Sequence, residues 1–329
     1  MKKILVIQTA FIGDVILATS LLETLHVALS GSKIDVLVRK GNEPLFKNHP
    51  FLNKVLVWNK ASQKYRNLAR LLPGVRRTKY DWVINLQRFA TTGLFTALSG
   101  APKKTGFDKN PFSFFYSHKT PHQIGLNEHE VDRNFKLIQH LVNHKQRLAP
   151  KLYPDDADFA KVASYKNQEY VCIAPTSVWF TKQAPAEIWM GLLRFLTPGY
   201  HVYLLGSPSD FKACEMIRSR SSETARITNL AGKLSLLESA ALMKNARMNY
   251  VNDSAPMHLA SAMDAPTTAV FCSTVPEFGF GPLAGQSKVV QTREQLDCKP
   301  CGLHGKSACP LSHFKCGHTI QIQDLMFEA

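Results

Sequence analysis

The hydrophobic positions of the chain alternate between two spacings. The first apolar run, Ile4-Leu5-Val6-Ile7, is continuous and rich in β-branched residues, as is typical of a strand buried on both faces of a parallel sheet. Apolar residues then recur at helical spacing over positions 15–28, and Gly31 supplies a stop signal before a second strand-like run at 34–38. This order of strand, helix and strand predicts a doubly wound α/β fold.

The alternation continues through the first half of the chain. Further strands are predicted at 55–57 and 82–86, with a basic helix at 65–72 between them. Residues 107–128 contain two prolines and several aromatic residues and break the pattern. We therefore predict a long loop or mobile flap there, followed by a helix near 130–144.

A second alternating series follows Pro150 and Pro154. Its strands are predicted near 171–174, 202–205, 249–251 and 268–271, with helical stretches between them. A chain of 329 residues is long enough for two domains of ordinary size. We place the boundary near 150–165, which gives a first domain of residues 1–155 and a second of 156–329.

Two features of composition bear on location and partners. The apolar stretch at 4–9 is far shorter than a signal-peptide core or a membrane span of about 20 residues, so we expect a cytoplasmic protein. The net charge is +15, and residues 1–150 hold 23 Lys and Arg against 9 Asp and Glu. Such a basic half is typical of a domain that meets something anionic, although a merely solubilising surface is the alternative. No nucleic-acid-binding motif accompanies the charge, so nucleic acid is not the predicted partner.

The first candidate site follows the first predicted strand. Ile12-Gly13-Asp14 opens the first helix, where open α/β sheets bind ligands at the carboxyl ends of their strands. Gly13 permits close approach of the backbone, and Asp14 either faces a ligand or caps the helix. The turn lacks the G-x-G-x-x-G spacing of a dinucleotide-binding domain, which argues against a dehydrogenase.

Three turns in the second half offer chemistry of another kind. The helix start at Asn252-Asp253-Ser254-Ala255-Pro256-Met257-His258 presents backbone N–H groups suited to a diphosphate, or is an ordinary helix start with His258 in the core. The segment 175–182 offers the hydroxyls of Thr176, Ser177 and Thr181 and the ammonium group of Lys182, which suits a leaving diphosphate unless it is simply solvated. In the turn at 206–210, Asp210 is a candidate for ribose hydroxyls.

The seven cysteines fall into two groups. Cys172, Cys214 and Cys272 stand alone in apolar or helical contexts and are expected to be core residues. The others form a C-terminal series with His304 and His313 nearby: Cys298-x2-Cys301-x7-Cys309-x6-Cys316. A structural zinc site, free packed thiols, and disulfide or redox roles remain open for this series.

Read together and in this order, these segments resemble glycosyltransferase family 9, the heptosyltransferases. The segments that carry the resemblance are Ile12-Gly13-Asp14, Trp179-x-Thr181-Lys182, Gly206-Ser207, Asn252-Asp253-Ser254 through His258, and Thr274. The cysteine series is similar to the tail of the second-heptose transferases of the family. The chain departs from the family pattern at Gln183-Ala184-Pro185, at Ala255 and at Cys272-Ser273.

The resemblance implies the GT-B fold, in which two Rossmann-like domains face each other across a cleft. The first domain would bind the acceptor and the second the nucleotide sugar, for an inverting transfer that needs no metal or other cofactor. It implies that Asp14 is the general base, in the acceptor-side loop with Ile12 and Gly13. Lys182 and Ser177 would stabilise the departing nucleoside diphosphate, with the rest of the donor site formed by Thr176, Thr181, Asp210, Asp253, Ser254, Ala255, His258 and Thr274.

The implied substrates are an ADP-heptose donor and the anionic inner core of lipopolysaccharide, a Kdo- or heptose-terminated lipid A. The enzyme would then bind peripherally at the inner face of the cytoplasmic membrane, and the second-heptose step is preferred. The clusters Arg76-Arg77-x-Lys79 and Lys103-Lys104 are candidates for steering the acceptor. The alternatives are a transferase of another nucleotide sugar in surface glycan synthesis, a nucleotide-sugar epimerase or a catalytically silent relative, and, from another class, a basic nucleic-acid-binding protein. The sequence assigns no oligomeric state.

Overall fold

A computed structural model describes residues 1–125, 127–142 and 146–326. The chain divides into two compact units, Met1–Tyr153 and Pro154–Ala329. This division falls within the region 150–165 in which the sequence places the boundary. Each unit is built on its own six-stranded parallel sheet.

Within its described residues, the first unit contains six strands and four α-helices. The strands are β1 (Lys3–Ile7), β2 (Lys33–Arg39), β3 (Leu52–Trp58), β4 (Trp82–Asn85), β5 (Lys103–Phe107) and β6 (His118–Thr120), and the helices are α1 (Ile12–Ala28), α2 (Lys64–Thr78), α3 (Ala90–Leu98) and α4 (Glu130–Lys136). The strand order is β3-β2-β1-β4-β5-β6. Helix α1 is buried continuously from Val15 to Leu25 and packs against α4.

The second unit repeats this arrangement. Its strands are β7 (Tyr170–Ala174), β8 (His201–Leu204), β9 (Ile227–Asn229), β10 (Asn249–Asn252), β11 (Thr267–Phe271) and β12 (Ser287–Gln291). Its helices are α5 (Asp156–Lys161), α6 (Ala186–Leu196), α7 (Phe211–Ser219), α8 (Leu236–Met243), α9 (Ala255–Ala262), α10 (Lys315–His318) and α11 (Ile322–Leu325). The strand order, β12-β11-β10-β7-β8-β9, matches that of the first sheet when the strands are counted within each unit.

Both sheets therefore have the Rossmann strand order, and the predicted doubly wound α/β class is confirmed. The order reverses between β1 and β4 in the first sheet and between β7 and β10 in the second. In open parallel sheets, ligands bind outside the carboxyl ends of the strands at these reversal points. A ligand-binding site is therefore expected in the segments that follow β1, β4, β7 and β10.

The segment 107–128 differs from the predicted loop. It contains β6, which pairs with β5, and a 3-10 helix over Ser113–Phe115. Strand β6 has only three residues, none of them hydrophobic, so it gives no apolar run to recognise. The helix predicted near 130–144 ends at Lys136, and its positions 143–144 lie outside the described residues.

No helix in the described ranges combines the length and hydropathy required to cross a bilayer.

Candidate functional site

In the second unit, three predicted residues meet at the reversal point. Asp253 follows β10, which pairs with β7 on one side and β11 on the other. Lys182, in the segment after β7, places its Nζ 2.6 Å from Asp253 Oδ2. Thr274, after β11, donates its hydroxyl hydrogen to the same oxygen at 2.6 Å. Residues up to 92 positions apart are thus brought together by the strand order.

This lysine–aspartate pair is largely shielded from water. The side chain of Lys182 is 16% exposed and that of Asp253 is 7% exposed. An isolated charge at such a place would be strongly disfavoured, and the pairing offsets part of that cost. The side chain of Lys182 is not fully enclosed.

The first turn of α9 lies beside this pair. Ser254 occupies the N-cap position, but its hydroxyl donates to the carbonyl of Asn252 at 3.3 Å and makes no capping bond. The first backbone N–H groups of an α-helix have no partner within the helix, so this turn is suited to phosphate oxygens. Ala255 begins the helix, and His258 is buried on its inner side.

The backbone of the segment after β7 is fixed by amide side chains. Gln183 Nε2 donates to the carbonyl of Ser177 at 2.7 Å, and Asn252 Nδ2 donates to that of Thr176 at 3.5 Å. Asn252 Oδ1 accepts from the backbone N–H of Ala184 at 2.9 Å. Thr176 and Ser177 are half-buried next to the lysine segment.

Asp210 and Thr181, two other residues predicted to contact the nucleotide sugar, form hydrogen bonds within the protein. Asp210 Oδ2 accepts from the backbone N–H of Ser207 at 2.7 Å and from its hydroxyl at 2.6 Å, closing a capping box after β8. Thr181 is 1% exposed, and its hydroxyl oxygen accepts from the hydroxyl of Ser273 and the backbone N–H of Lys306. Asp210 thus has its partners within its own turn, whereas the partners of Thr181 come from two distant segments.

In the first unit, Asp14 lies half-buried in the first turn of α1, directly after Ile12 and Gly13. The helix that packs against α1 carries a buried carboxyl group, Glu130, whose Oε2 lies 3.0 Å from Nε and 2.8 Å from Nη2 of Arg133. Burial raises the pKa of Glu130 to about 7; Arg133 opposes this shift and the charge of Asp14 adds to it. The sequence reasoning missed Glu130, since a charge on a short helix gives no sign of being buried.

Several buried polar groups at the same edge of the sheet lack a partner within the described ranges. They are Gln8 Nε2 and Thr9 Oγ1 after β1, Thr120 Oγ1 at the end of β6, and His122 Nδ1 just beyond it. Burial, together with the smaller effect of the positive charges of Arg88, Arg133 and Lys109, lowers the pKa of His122 to about 4. Unpaired buried polar groups are costly, and four such atoms lie in these segments.

Cations also line this edge. Four successive strands are followed by basic residues: Arg39 ends β2, Lys60 follows β3, Arg88 follows β4 and Lys109 follows β5. Lys60 Nζ donates to the carbonyl of Thr9 at 2.6 Å. Burial lowers the pKa of Lys60 to about 8, and the charges of Arg39 and Lys64 add to the effect.

The basic clusters expected to steer an acceptor lie at the opposite edge. Arg76 and Arg77 are in the last turn of α2, which leads back to the start of β4, and Lys103 and Lys104 begin β5. These clusters therefore lie at the other end of the strands from Asp14, and sequence clustering alone does not indicate which end of a strand a residue occupies. The cations at the carboxyl edge are dispersed singly along the sequence.

All seven cysteines are free thiols. Cys172, Cys214 and Cys272 are buried, and burial raises the pKa of each thiol. In the C-terminal series, Cys301 Sγ lies 3.2 Å from the carbonyl oxygen of Cys298, and Cys298 Sγ lies 3.9 Å from His313 Nε2. Within the described ranges, no three His, Cys, Asp or Glu residues are arranged to hold a metal ion.

Comparisons with known proteins identify the class to which this fold and site belong. Residues 68–310 match the model of glycosyltransferase family 9 (heptosyltransferase). The chain is similar in structure to Escherichia coli ADP-heptose LPS heptosyltransferase II, with a TM-score of 0.76, 22% identity and coverage of 92% of this chain and 96% of the other. E. coli heptosyltransferase WaaC with ADP gives a TM-score of 0.72 and 22% identity over 87% and 92% of the two chains. The protein is a glycosyltransferase with the GT-B type of fold.

Within that class, the chain belongs to glycosyltransferase family 9. It is 28% identical to an E. coli lipopolysaccharide heptosyltransferase 3 over 281 residues, which covers 80% of this chain and 82% of the relative. It is 26% identical to lipopolysaccharide heptosyltransferase 1 of Pseudomonas aeruginosa over 314 residues, with coverage of 91% and 86%. Relatives named heptosyltransferase 2 match as well, so all three heptose steps are represented among the similar proteins.

Proposed function

We propose that this protein transfers a heptose from ADP-heptose to the inner core of lipopolysaccharide with inversion at the anomeric carbon. The observation that carries the proposal is the convergence of Lys182, Asp253 and Thr274 at the reversal point of the second sheet. Membership in the heptosyltransferase family supports the choice of sugar. The first unit would bind the acceptor, and the second would bind the donor.

Each site has a distinct chemical task in this mechanism. Asp14 accepts the proton of the acceptor hydroxyl as the hydroxyl oxygen forms a bond to the anomeric carbon, while the bond from that carbon to the β-phosphate oxygen breaks. ADP leaves with the bonding electrons, and its growing negative charge is stabilised by Lys182 and by the first turn of α9. Asp253, Ser254 and His258 hold the sugar and phosphates, and Thr176, Ser177 and Ala255 line the same region. Asp210 is the candidate for ribose.

Replacement of Asp14 by Asn tests the assignment of the base. The amide keeps the shape of the side chain but cannot take up the proton, so turnover with ADP-heptose and a lipopolysaccharide inner-core acceptor should be lost. Affinity for ADP, measured by calorimetry, should be unchanged. Full turnover by the Asp14→Asn protein would refute the role of Asp14.

The nature of the donor is tested by thermal stabilisation with a panel of nucleotides. A bound product raises Tm by mass action, so ADP should stabilise the protein more than UDP, GDP, CDP or dTDP. Preference for another nucleoside diphosphate would favour transfer of a different sugar in surface glycan synthesis. The departures at Ala184 and Ala255 make this the relevant competing function.

The acceptor is proposed to be an anionic glycolipid that the enzyme reaches by binding peripherally to the inner face of the cytoplasmic membrane. Three aromatic residues support this: Phe89, Phe114 and Phe115 are 58%, 69% and 52% exposed. Phe89 follows β4, as does the cation Arg88, and Phe114 and Phe115 lie with Lys109 in the segment between β5 and β6. Exposed aromatic rings beside cations favour an anionic bilayer surface.

Co-sedimentation with vesicles tests this surface. Wild-type protein should bind vesicles containing phosphatidylglycerol and not vesicles of phosphatidylcholine alone. The double replacement Phe114→Ser and Phe115→Ser should abolish binding. Phe195, which is 54% exposed in the second unit, provides the matched control. Equal losses for Phe195→Ser and the double variant would contradict the assignment.

A structural zinc ion on Cys298, Cys301, Cys309 and Cys316 is a separate hypothesis that comes from the sequence. These thiols do not form a ligand set in the present arrangement, so no step of the transfer is assigned to a metal. Metal analysis of protein purified without chelators tests it. About one zinc per chain would support the site, and a stoichiometry near zero would remove it.

A further inference from the structure

We propose that residues 298–316, the cysteine segment, position Lys182 for catalysis through Thr181 and Gly305. The proposal rests on the role of Lys182 in the proposed function. In this proposal Thr181 does not contact the sugar donor itself. It positions the neighbouring Lys182.

Thr181 joins the lysine to two other parts of the chain. Its backbone N–H donates to the carbonyl of Lys306 at 3.1 Å, and its hydroxyl accepts from the N–H of Lys306 at 2.8 Å. On its other side, the hydroxyl of Ser273 donates to the Thr181 hydroxyl at 2.9 Å, and the N–H of Ser273 donates to the Thr181 carbonyl at 3.2 Å. Cys301 connects the cysteine segment to Ser273 as well, because its N–H donates to the carbonyl of Ser273 at 2.9 Å.

Gly305 brings the cysteine segment directly against the lysine side chain. A Cβ atom at this position would lie 2.5 Å from Trp179 Cβ and 2.6 Å from Lys182 Cγ. Trp179 Cβ is fixed by the backbone, and Lys182 Cγ can move aside only by a rotation about the Cα–Cβ bond that displaces the rest of the side chain. The absence of a side chain at Gly305 is what allows the segment to pack along the stem of Lys182.

The segment is itself fixed to the second unit. The rings of Phe314 and Phe180 lie 5.1 Å apart, and Phe314 and Cys316 belong to the buried core of the unit. Near the other end, Lys299 Nζ donates to the carbonyl of Phe271 at 3.0 Å and to Gln291 Oε1 at 2.9 Å. The contacts to Thr181 and Lys182 are thus made by a segment held at both ends.

This arrangement has a catalytic consequence because lysine has a long, flexible side chain. Free rotation about its bonds would spread the ammonium group over many positions, and an error of about 1 Å in a catalytic group can lower the rate about 100-fold. The cysteine segment restricts the stem of Lys182 from one side while Asp253 holds its ammonium group.

The test combines three substitutions with a matched control. Thr181→Val removes the hydroxyl and keeps the shape, Thr181→Ser restores the hydroxyl, and Gly305→Ala introduces the contact with Lys182. Gly199 has nothing within 4 Å of an added Cβ, so Gly199→Ala is the control. We expect Thr181→Val and Gly305→Ala to lower kcat about 10- to 100-fold and to weaken ADP binding. Thr181→Ser and Gly199→Ala should remain close to wild type.

A double-mutant cycle separates positioning from general stability. If Thr181 acts through Lys182, the loss of ADP affinity caused by Thr181→Val should disappear when Lys182 is already Met. A full additional loss in the Lys182→Met background would overturn the proposal, as would wild-type kinetics for Gly305→Ala. Unchanged turnover in Lys182→Met alone would instead refute the proposed role of the lysine. Should Thr181→Val fail to fold, Gly305→Ala in the two backgrounds gives the same comparison.

Discussion

The hydroxyl of Thr274 donates to Asp253 Oδ2 at 2.6 Å, the oxygen that also receives the ammonium group of Lys182. One carboxylate oxygen thus serves a neutral and a charged donor from two different strand ends. A bond to a charged acceptor is stronger than one between neutral groups. Thr274 therefore fixes the orientation of Asp253, and with it the position of Lys182.

Replacement of Thr274 by Val should lower kcat/KM for the donor about tenfold, because a hydrogen bond to a charged group contributes about 1.5 kcal/mol. Thr274→Ser should retain most of the activity. Thr292, whose hydroxyl is bonded to that of Thr319, serves as the control. If Thr292→Val lowered kcat/KM as much as Thr274→Val, the effect would be one of general stability.

Asp253 and Lys182 should differ in their effects on ADP binding. Lys182→Met removes the cation that faces the diphosphate, so ADP affinity should fall. Asp253→Asn keeps that cation and removes a negative charge 2.6 Å from it, so ADP affinity should fall less than in Lys182→Met while turnover falls. Isothermal calorimetry distinguishes the two effects. Equal weakening of ADP binding by both substitutions would contradict the separate roles of Lys182 and Asp253.

Glu130 should make the first unit less stable as the pH rises. Its pKa is raised to about 7 in the folded protein, so its contribution to stability is complete below the unfolded value of about 4.5 and is lost as the pH rises through 7. The full effect is on the order of 3 kcal/mol. The difference in Tm between wild type and Glu130→Gln should therefore change between pH 5 and pH 8. A difference in Tm that stayed constant over this pH range would contradict the effect of burial on Glu130.

His49 should make the first unit less stable as the pH falls. Burial, assisted by His26, lowers its pKa to about 4, and its ring packs edge-on against Phe51 and Tyr153. Because the unfolded chain takes up this proton near pH 6.5, stability from His49 is lost as the pH falls from 6.5 towards 4. The drop in Tm between pH 7 and pH 5 should be smaller for His49→Gln than for wild type. An unchanged drop would assign acid sensitivity to other groups.

The two basic regions of the first unit should behave differently towards the acceptor. Replacing Lys60 and Arg88 by Gln should raise the acceptor KM and flatten its dependence on salt, since both residues lie at the edge that carries Asp14. Replacing Arg76 and Arg77 by Gln changes the charge equally at the opposite edge and should alter KM much less. Equal effects would show that net charge, rather than position, attracts the acceptor.

Much of the fold was predictable because its central strands are continuous apolar runs. Residues 4–7 and 82–85 fall in strands that the hydrophobic pattern predicts, and β7, β8, β10 and β11 likewise lie close to their predicted positions. Strand β9 has only three residues, and β12 is partly exposed at the sheet edge, so neither gives a clear apolar signal. The position of an edge strand depends more on its pairing with the neighbouring strand than on an apolar pattern of its own.

The site was predictable where a side chain follows a central strand. Asp14, Lys182 and Asp253 could be proposed from the turns in which they lie, because parallel strands gather such turns at one edge. The burial of Glu130 and the contact of Gly305 with Lys182 depend on packing between segments distant in sequence. From the sequence alone, a glycine in a polar loop does not reveal which distant side chain packs against it.

The hydrogen bond between Ala184 and Asn252 bears on how the family can diversify. Ala184 contributes only its backbone N–H to this bond, which every amino acid except proline could supply. Ala184 is only 4% exposed and belongs to the core of the second unit, so packing limits the size of the side chain while the peptide group forms the bond. The frame around Lys182 therefore has two separate supports at this position: the peptide group bonded to Asn252, and a small side chain that fits the core.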